Sequence, residues 1–169
     1  RYAGRPALFV VALDVTAQVK AEKDMQEHLF TLQRAADAAQ AITWHRTLEG
    51  MLQEVVEQAR GVIGTHRAVV SLTVDGDWAQ ARHALSLSEK YAPYRELIAT
   101  PDGSGICALV CDSNLSKRMT QAELEAHPRW HGLGHVDKHV ALRGWLAVPL
   151  MERGGGNIGL LQLSDKYGG

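Results

Sequence analysis

Two apolar stretches near the end of the chain, Gly144-Trp-Leu-Ala-Val-Pro-Leu-Met151 and Asn157-Ile-Gly-Leu-Leu-Gln-Leu163, decide the fold. Both are rich in residues that favour extended backbone, and Gly154-Gly-Gly156 supplies the link of a β-hairpin between them. Pro149 lies inside the first stretch, and because proline has no amide hydrogen it indicates a sheet edge or a bulge. The two stretches therefore predict the closing strands of an antiparallel sheet.

A second hairpin is predicted earlier in the chain. Ala68-Val-Val-Ser-Leu-Thr-Val74 alternates in the period of a strand with two different faces. Asp75-Gly-Asp77 has the composition of a tight turn, and Trp78–Leu87 is the returning strand. Together the two hairpins predict a sheet of at least four strands.

Two long helices are predicted before this sheet. Thr16–Thr43 contains no Gly and no Pro and is dominated by good helix formers. Thr47–Ile63 has apolar residues on one face and is followed by Gly64, a residue typical of helix ends.

Shorter elements fill the region between the hairpins. We expect helices at Ser88–Ile98 and after Ser104, and an edge strand at Lys117–Met119. Thr120-Gln-Ala-Glu123 has the spacing of a capping box. The stretch from His127 to Leu142 is predicted to be a long connection.

The first helix carries a heptad pattern. Apolar or small residues recur at spacings of 4, 3, 4 and 3, which is the pattern that joins two parallel helices. We expect a homodimer through this stripe; the alternative is that the stripe packs on the chain's own domain. The candidate interface residues are Met25, Leu29, Leu32, Ala36 and Ala39.

Composition narrows the class of protein. The chain has 169 residues, with 18 basic and 19 acidic side chains and a net charge of −1. A nucleic-acid-binding domain would show a clustered basic face, so that class is excluded. The longest apolar run, Ala7–Leu13, is far shorter than the roughly 20 residues of a membrane span. We therefore expect a cytoplasmic protein, and the absence of an initial Met predicts a piece of a longer chain.

The order of these elements resembles the GAF domain from about Thr47 to Gly169. The two closing stretches are the most specific part of the resemblance, and Met119–Trp130 is similar to a GAF subgroup found in sensor kinases. Residues Arg1–Glu22 resemble the end of a PAS domain, because a last strand is followed by Asp14-Val-Thr16. The resemblance implies three parts: residues 1–15 as the C-terminal strand of a PAS domain, 16–43 as a signalling helix, and 44–169 as a GAF domain without its last helix.

The resemblance implies an α+β fold with a central antiparallel sheet. Helices would cover one face, and an excursion on the other face would enclose a small-molecule pocket. The strand alternation agrees with this division. The predicted helix-side residues are Val70, Leu72, Val74, Leu146, Val148, Leu150, Leu161 and Leu163. The ligand-pocket candidates are Ser71, Thr73, Arg82, Cys107, Cys111, Trp130, Trp145, Ala147 and Gln162.

Several of these residues have alternative interpretations. Cys107 and Cys111 are four residues apart, which is not the spacing of a redox pair, so buried structural thiols are the default and a thiol reductase is disfavoured. Trp130 and Trp145 either pack in the core or form a flat wall for a ring-shaped ligand. Arg82, like His83 and Arg143, either binds an anion or is an ordinary surface residue.

Metal, haem and other cofactors are not indicated by the sequence. His127, His131, His135 and His139 recur every four residues, but Pro128 and two glycines interrupt a helix that would align them on one face. There is no Cys-His dipeptide for a bilin and no phosphate-binding loop. The cofactor is therefore unknown and no catalytic residue is predicted.

The sequence predicts a non-catalytic regulatory module of a bacterial signal-transduction protein, such as a sensor histidine kinase. A small molecule would bind in the pocket, and dimeric helices would relay the signal. The alternatives are a dimerisation spacer without a ligand and the regulatory domain of a cyclic-dinucleotide enzyme.

Overall fold

A computed structural model describes residues 16–42, 47–97, 100–130 and 143–168. The predicted end of a PAS domain, residues 1–15, lies outside the described residues. The chain divides into two compact units, Arg1–Ala35 and Ala36–Gly169. Helix α1 spans Thr16–Ile42, as the sequence predicts to within one residue. No helix in the described ranges combines the length and the apolar character needed to cross a bilayer.

The second unit is built on one antiparallel sheet, so the predicted α+β class is confirmed. The strands lie in the order β2-β1-β5-β4-β3, with each neighbouring pair antiparallel. The two predicted hairpins are therefore joined into a single sheet through the pairing of β1 with β5. The strands are β1 (Thr65–Val74), β2 (Asp77–Leu87), β3 (Lys117–Met119), β4 (Trp145–Met151) and β5 (Asn157–Lys166).

Helix α2 (Leu48–Ile63) covers one face of the sheet, which we call the helix face. The helix begins at Thr47, whose side chain accepts a hydrogen bond from the Gly50 amide, and ends at Gly64 in the left-handed conformation. Leu52 and Val56 are almost completely buried, and burial of each such side chain contributes about 1.5–3 kcal/mol. They pack with the strand residues Ala68, Val70 and Leu163, and Leu72, Leu146, Leu150 and Leu161 surround this cluster.

The opposite face, which we call the excursion face, is covered by the described segments between β2 and β4. Two 3₁₀ segments occur there, Ala92–Leu97 and Gly105–Cys107, together with the short helices α3 (Ala108–Ser113) and α4 (Gln121–Glu125). The predicted capping box of α4 is present. The apolar cluster of this face contains Ile106, Val110, Leu124, Trp145, Ala147 and Leu160.

Two of the predicted short helices take other forms. Ser88–Ile98 is predicted to be helical, but a turn precedes the 3₁₀ segment Ala92–Leu97. Ser104 precedes a helical segment as predicted, yet its hydroxyl donates to Asp102 Oδ1 at 2.7 Å and does not cap. In the second case the contact of Ser104 with Asp102 competes with capping of the helix.

One glycine of β5 is required by a close backbone approach. Gly159 has φ +154°, and a Cβ atom there would lie 2.1 Å from the Ser71 carbonyl oxygen. Because no side chain fits at that distance, only glycine allows β5 to pair with β1 at this position.

Candidate functional site

Gln162 lies at the centre of the excursion face and has no exposed surface. Its Oε1 accepts a hydrogen bond from Trp145 Nε1 at 2.8 Å and a weaker one from Cys107 Sγ at 3.5 Å. Its Nε2 has no hydrogen-bond partner in the part of the chain that the structure describes. A buried amide donor without an acceptor is rare, since it costs about 1–3 kcal/mol.

Arg67 is a second buried donor on the same face. The residue is 1% exposed, and its Nη1 donates to Ser164 Oγ at the long distance of 3.5 Å. Its Nε has no partner in the described ranges, and no carboxylate there lies within ion-pair distance of the guanidinium. Burial lowers the pKa of Arg67 to about 10, and electrostatic interactions with Cys107 and Tyr91 partly offset this effect. The side chain therefore remains a cation at neutral pH.

The sheet register places these two donors close together. Arg67 pairs with Ser164 and Val69 pairs with Gln162, so Arg67 and Gln162 are diagonal neighbours on one face. Diagonal positions of an antiparallel pair have Cα atoms about 7–8 Å apart, within reach of long side chains. We call Arg67, Gln162, Cys107, Trp145 and Ser164 the buried polar cluster.

An open cleft of about 610 Å³ adjoins this cluster at one end of the sheet. Trp145 and Ser164 line both the cleft and the cluster. Arg118 and Lys166 are exposed cations on the lining, so the cleft attracts anions from solvent. We call this the sheet-end cleft.

A carboxylate network borders the same cleft. Asp165 is 1% exposed and accepts hydrogen bonds from Lys90 Nζ, from Tyr91 Oη at 2.5 Å and from Arg143 Nε at 3.1 Å. Burial alone would raise the pKa of Asp165, but the hydrogen bonds from Lys90 and Tyr91 outweigh it and hold the pKa below its usual value. Burial and the bond to Asp165 raise the pKa of Tyr91. The network ties the end of β5 to the excursion.

A smaller cavity of about 300 Å³ lies towards β2. His83 lines it and forms a hydrogen bond with Ser71 at 2.9 Å, and burial lowers the pKa of His83. Val69, Leu85, Arg95 and Thr100 also line this cavity.

The structure brings most of the predicted pocket residues together on the excursion face. Ser71, Cys107, Trp145, Ala147 and Gln162 all lie there, each at most 8% exposed. They are packed under the covering helices, and Trp145 alone of these five also lines the sheet-end cleft.

Three other candidates lie away from the centre of that face. Thr73 donates to the Ile158 carbonyl at 3.1 Å near the far end of the strands. Cys111 is partly buried on α3, and Trp130 packs at the margin of the apolar cluster.

Arg82 lies on the helix face and not on the ligand side. It pairs with Leu72, and its guanidinium is 3.6 Å from Glu49 of α2. The register of the first hairpin explains this placement, because residues directly opposite each other share a face. Arg82 is therefore removed from the candidate site.

Sequence reasoning missed Arg67 and the Asp165 network. β1 is predicted from Ala68, but it begins at Thr65, and extending the alternation by one residue would have placed Arg67 beside Val69 and Ser71. Ser164-Asp165-Lys166 is polar and was not included in β5, although the strand continues to Lys166.

No group of three or more potential metal ligands occurs within the described ranges. His127 Nδ1 accepts a hydrogen bond from the Arg129 amide at 3.1 Å. His131, His135 and His139 lie outside the described residues, so the four-residue repeat of histidines remains a sequence pattern only.

The fold is an α+β domain with helix α2 on one face of its antiparallel sheet and the buried polar cluster on the other. The model of the GAF domain family matches residues 45–169, and the chain belongs to this family. No curated protein sequence matches the chain.

Solved structures share the fold at low sequence identity. A GAF domain from a phosphoenolpyruvate-protein phosphotransferase of Coxiella burnetii is 20% identical, with a TM-score of 0.58, covering 80% of this chain and 77% of that one. The chromophore-binding domain of Stigmatella aurantiaca bacteriophytochrome is 17% identical, with a TM-score of 0.57 and coverages of 83% and 52%. The GAF domain of a sensor histidine kinase from Pseudomonas syringae pv. tomato is 16% identical, with a TM-score of 0.52 and coverages of 87% and 77%. The solved structures that resemble this chain thus include sensory and regulatory modules of signalling proteins.

Proposed function

We propose that this chain is a non-catalytic sensory module of a bacterial signal-transduction protein, such as a sensor histidine kinase, and that it binds a small molecule on the excursion face. One observation carries the proposal: Arg67 Nε and Gln162 Nε2 are buried donors without partners in the described ranges. A ligand that accepts from both would remove the free-energy penalty of burying them. Binding would therefore stabilise the folded domain.

The network at the end of β5 gives this binding a way to affect the rest of the protein. Asp165 directly follows Ser164 of the buried polar cluster. Its carboxylate accepts hydrogen bonds from Lys90, Tyr91 and Arg143. A change in side-chain packing at the cluster would thus reach both the excursion and the end of the last strand. Such a change shifts the populations of two states of the domain, as a sensory module requires.

A thermal-shift screen of the purified chain tests the proposal. Nucleotides, amino acids, aromatic compounds and organic acids would be added at millimolar concentrations. A ligand at 100 times its Kd adds about 2.7 kcal/mol, and for a unit of about 130 residues this raises the melting temperature by about 10 °C. If no compound from any class shifts the melting temperature, the proposal fails.

We also propose that α1 relays the signal as a parallel homodimer. Met25, Leu29 and Leu32 are 64%, 58% and 61% exposed, and Ala36 and Ala39 are exposed as well. A continuous exposed stripe at heptad spacing would be buried by a second copy of the helix. On this proposal residues 16–43 are the signalling helix, 44–169 the GAF domain, and 1–15 the end of a PAS domain.

Light scattering with two matched variants tests the dimer. Leu29→Asp places a charge in the stripe and should give a monomer. Phe30→Asp makes the same chemical change at a residue that is 65% exposed but lies about 100° around the helix, and it should leave the dimer intact. A wild-type monomer, or equal effects of the two variants, would refute the heptad interface.

A dimerisation spacer without a ligand is the second candidate. It is favoured by the dense packing of the excursion face, where Ser71, Ala147 and Leu160 have no exposed surface. A spacer would dimerise through α1 and show no response in the thermal-shift screen. The sensory module should show both properties.

A further inference from the structure

The buried polar cluster carries an unbalanced charge. The Arg67 guanidinium is 1% exposed and has no carboxylate partner in the described ranges, whereas the only buried carboxylate nearby on β5, Asp165, is already bonded to Lys90, Tyr91 and Arg143. An isolated buried charge is strongly unfavourable, so buried cations are normally paired. One buried cation is balanced by one negative charge, and a dianion would leave an excess charge in the interior.

The available donors fit a carboxylate. Arg67 Nε and Gln162 Nε2 are unpaired, and they belong to diagonal neighbours on one face of the sheet. Two oxygens on one carbon can each accept from one of these donors, and such charge-assisted bonds are the stronger kind.

The surroundings of the two donors favour an organic ion. Ile106, Val110 and Leu160 are almost completely buried beside the cluster, and the Trp145 ring borders it. An apolar group attached to the carboxylate would contact the Trp145 ring, which also lines the sheet-end cleft. The sheet-end cleft reaches the cluster at Ser164 and Trp145 and carries the exposed cations Arg118 and Lys166, which favour the approach of an anion.

We infer that the excursion face binds a small organic monoanion, a monocarboxylate with an apolar group, between Arg67 and Gln162. This inference rests on the proposed sensory function and names its class of ligand. The carboxylate oxygens accept from Arg67 Nε and Gln162 Nε2, and the apolar group extends along Trp145 towards the sheet-end cleft.

Calorimetry with matched pairs of compounds tests the inference on the whole chain. Acetate, propionate and benzoate would be compared with acetamide, propionamide and benzamide, and with inorganic phosphate, at constant chloride concentration. At least one carboxylate should bind ten times or more tightly than its amide. Phosphate should bind more weakly than that carboxylate.

Substitutions of the two donors give a second readout. Arg67→Met should weaken carboxylate binding about 30-fold or more, and its melting temperature should equal or exceed that of the wild type because an unpaired buried charge is gone. Gln162→Glu places a carboxylate beside Arg67, so it should raise the melting temperature and abolish carboxylate binding. Arg82→Met, on the helix face, should bind like the wild type. Gln162→Glu keeps the inference testable if Arg67→Met does not fold.

The outcomes separate the inference from the proposed function. If neutral compounds bind as tightly as carboxylates, or phosphate binds most tightly, the inference is wrong and the sensory role stands. The inference is also wrong if Gln162→Glu is destabilised and still binds carboxylates. If no compound of any class binds the wild-type chain, both fail.

Discussion

Replacing Asp165 with Asn tests whether the carboxylate network holds the excursion to the sheet. The substitution preserves shape and removes the charge that Lys90, Tyr91 and Arg143 contact. Tyr91 is 2% exposed, so its bond to a buried carboxylate is worth about 1.5–3 kcal/mol. Lys90 and Arg143 are 44% and 57% exposed, and solvent screening limits each to about 0.5 kcal/mol. We therefore expect a loss of about 2–4 kcal/mol in the free energy of unfolding.

This loss corresponds to a measurable change in melting temperature. For a unit of about 130 residues the unfolding entropy is about 0.27 kcal/mol per kelvin, so the melting temperature should fall by about 7–15 °C. Circular dichroism and urea titration at pH 7 would measure it. Asp102→Asn is the control, because the side-chain hydrogen bonds of Asp102 within the described residues go to Ser104 in an exposed loop, and their loss should cost less than about 1 kcal/mol.

The pH dependence gives an independent check. The pKa of Asp165 is held below its usual value in the folded state. The ionised carboxylate therefore makes its full contribution to the free energy of unfolding above the unfolded pKa of about 4. The contribution is lost as the pH falls through the folded pKa. The difference in stability between the wild type and Asp165→Asn should therefore be constant near pH 7 and shrink below about pH 4. A difference under 2 °C at pH 7, or one that grows in acid, would refute this reasoning.

Two further predictions concern single residues. Gly159→Ala should lower the free energy of unfolding by at least about 2 kcal/mol or fail to fold, because its Cβ would lie 2.1 Å from the Ser71 carbonyl oxygen. Gly76→Ala has open space around it and should lose only about 1 kcal/mol, because its φ is positive. Equal urea midpoints for the two variants would contradict this prediction. Burial raises the pKa of Cys107 to about 12, so iodoacetamide at pH 8 should alkylate Cys107 far more slowly than the partly buried Cys111. Mass spectrometry would measure the two rates. Faster labelling of Cys107 would contradict this prediction and favour a thiol mechanism.

The fold was predictable because its main elements are locally encoded. Alternation along Ala68–Val74 assigns side chains to two faces, and the hydroxyls of Thr47 and Thr120 mark helix starts where the structure has them. These signals depend on neighbours a few residues apart, so the sequence displays them directly.

The candidate site was only partly predictable because it depends on strand register. Trp145 and Gln162 were assigned to the ligand side from alternation within their own strands, and they do contact each other. The face of Arg82 depends on which residue of β1 it opposes, and the contacts of Asp165 with Lys90 and Tyr91 join residues more than 70 positions apart. No local pattern specifies such pairs.

Pro149 has a consequence for how copies of this protein meet. Among the residues that the structure describes, β3 pairs with β4 as far as Ala147, and the rest of β4 lies at the outer border of the sheet. Pro149 pairs with Leu160 on its other side and offers no amide hydrogen at that border. An incoming extended segment therefore lacks a donor where it would otherwise dock. We therefore expect proline at this position to oppose the growth of the sheet, strand by strand, into an aggregate.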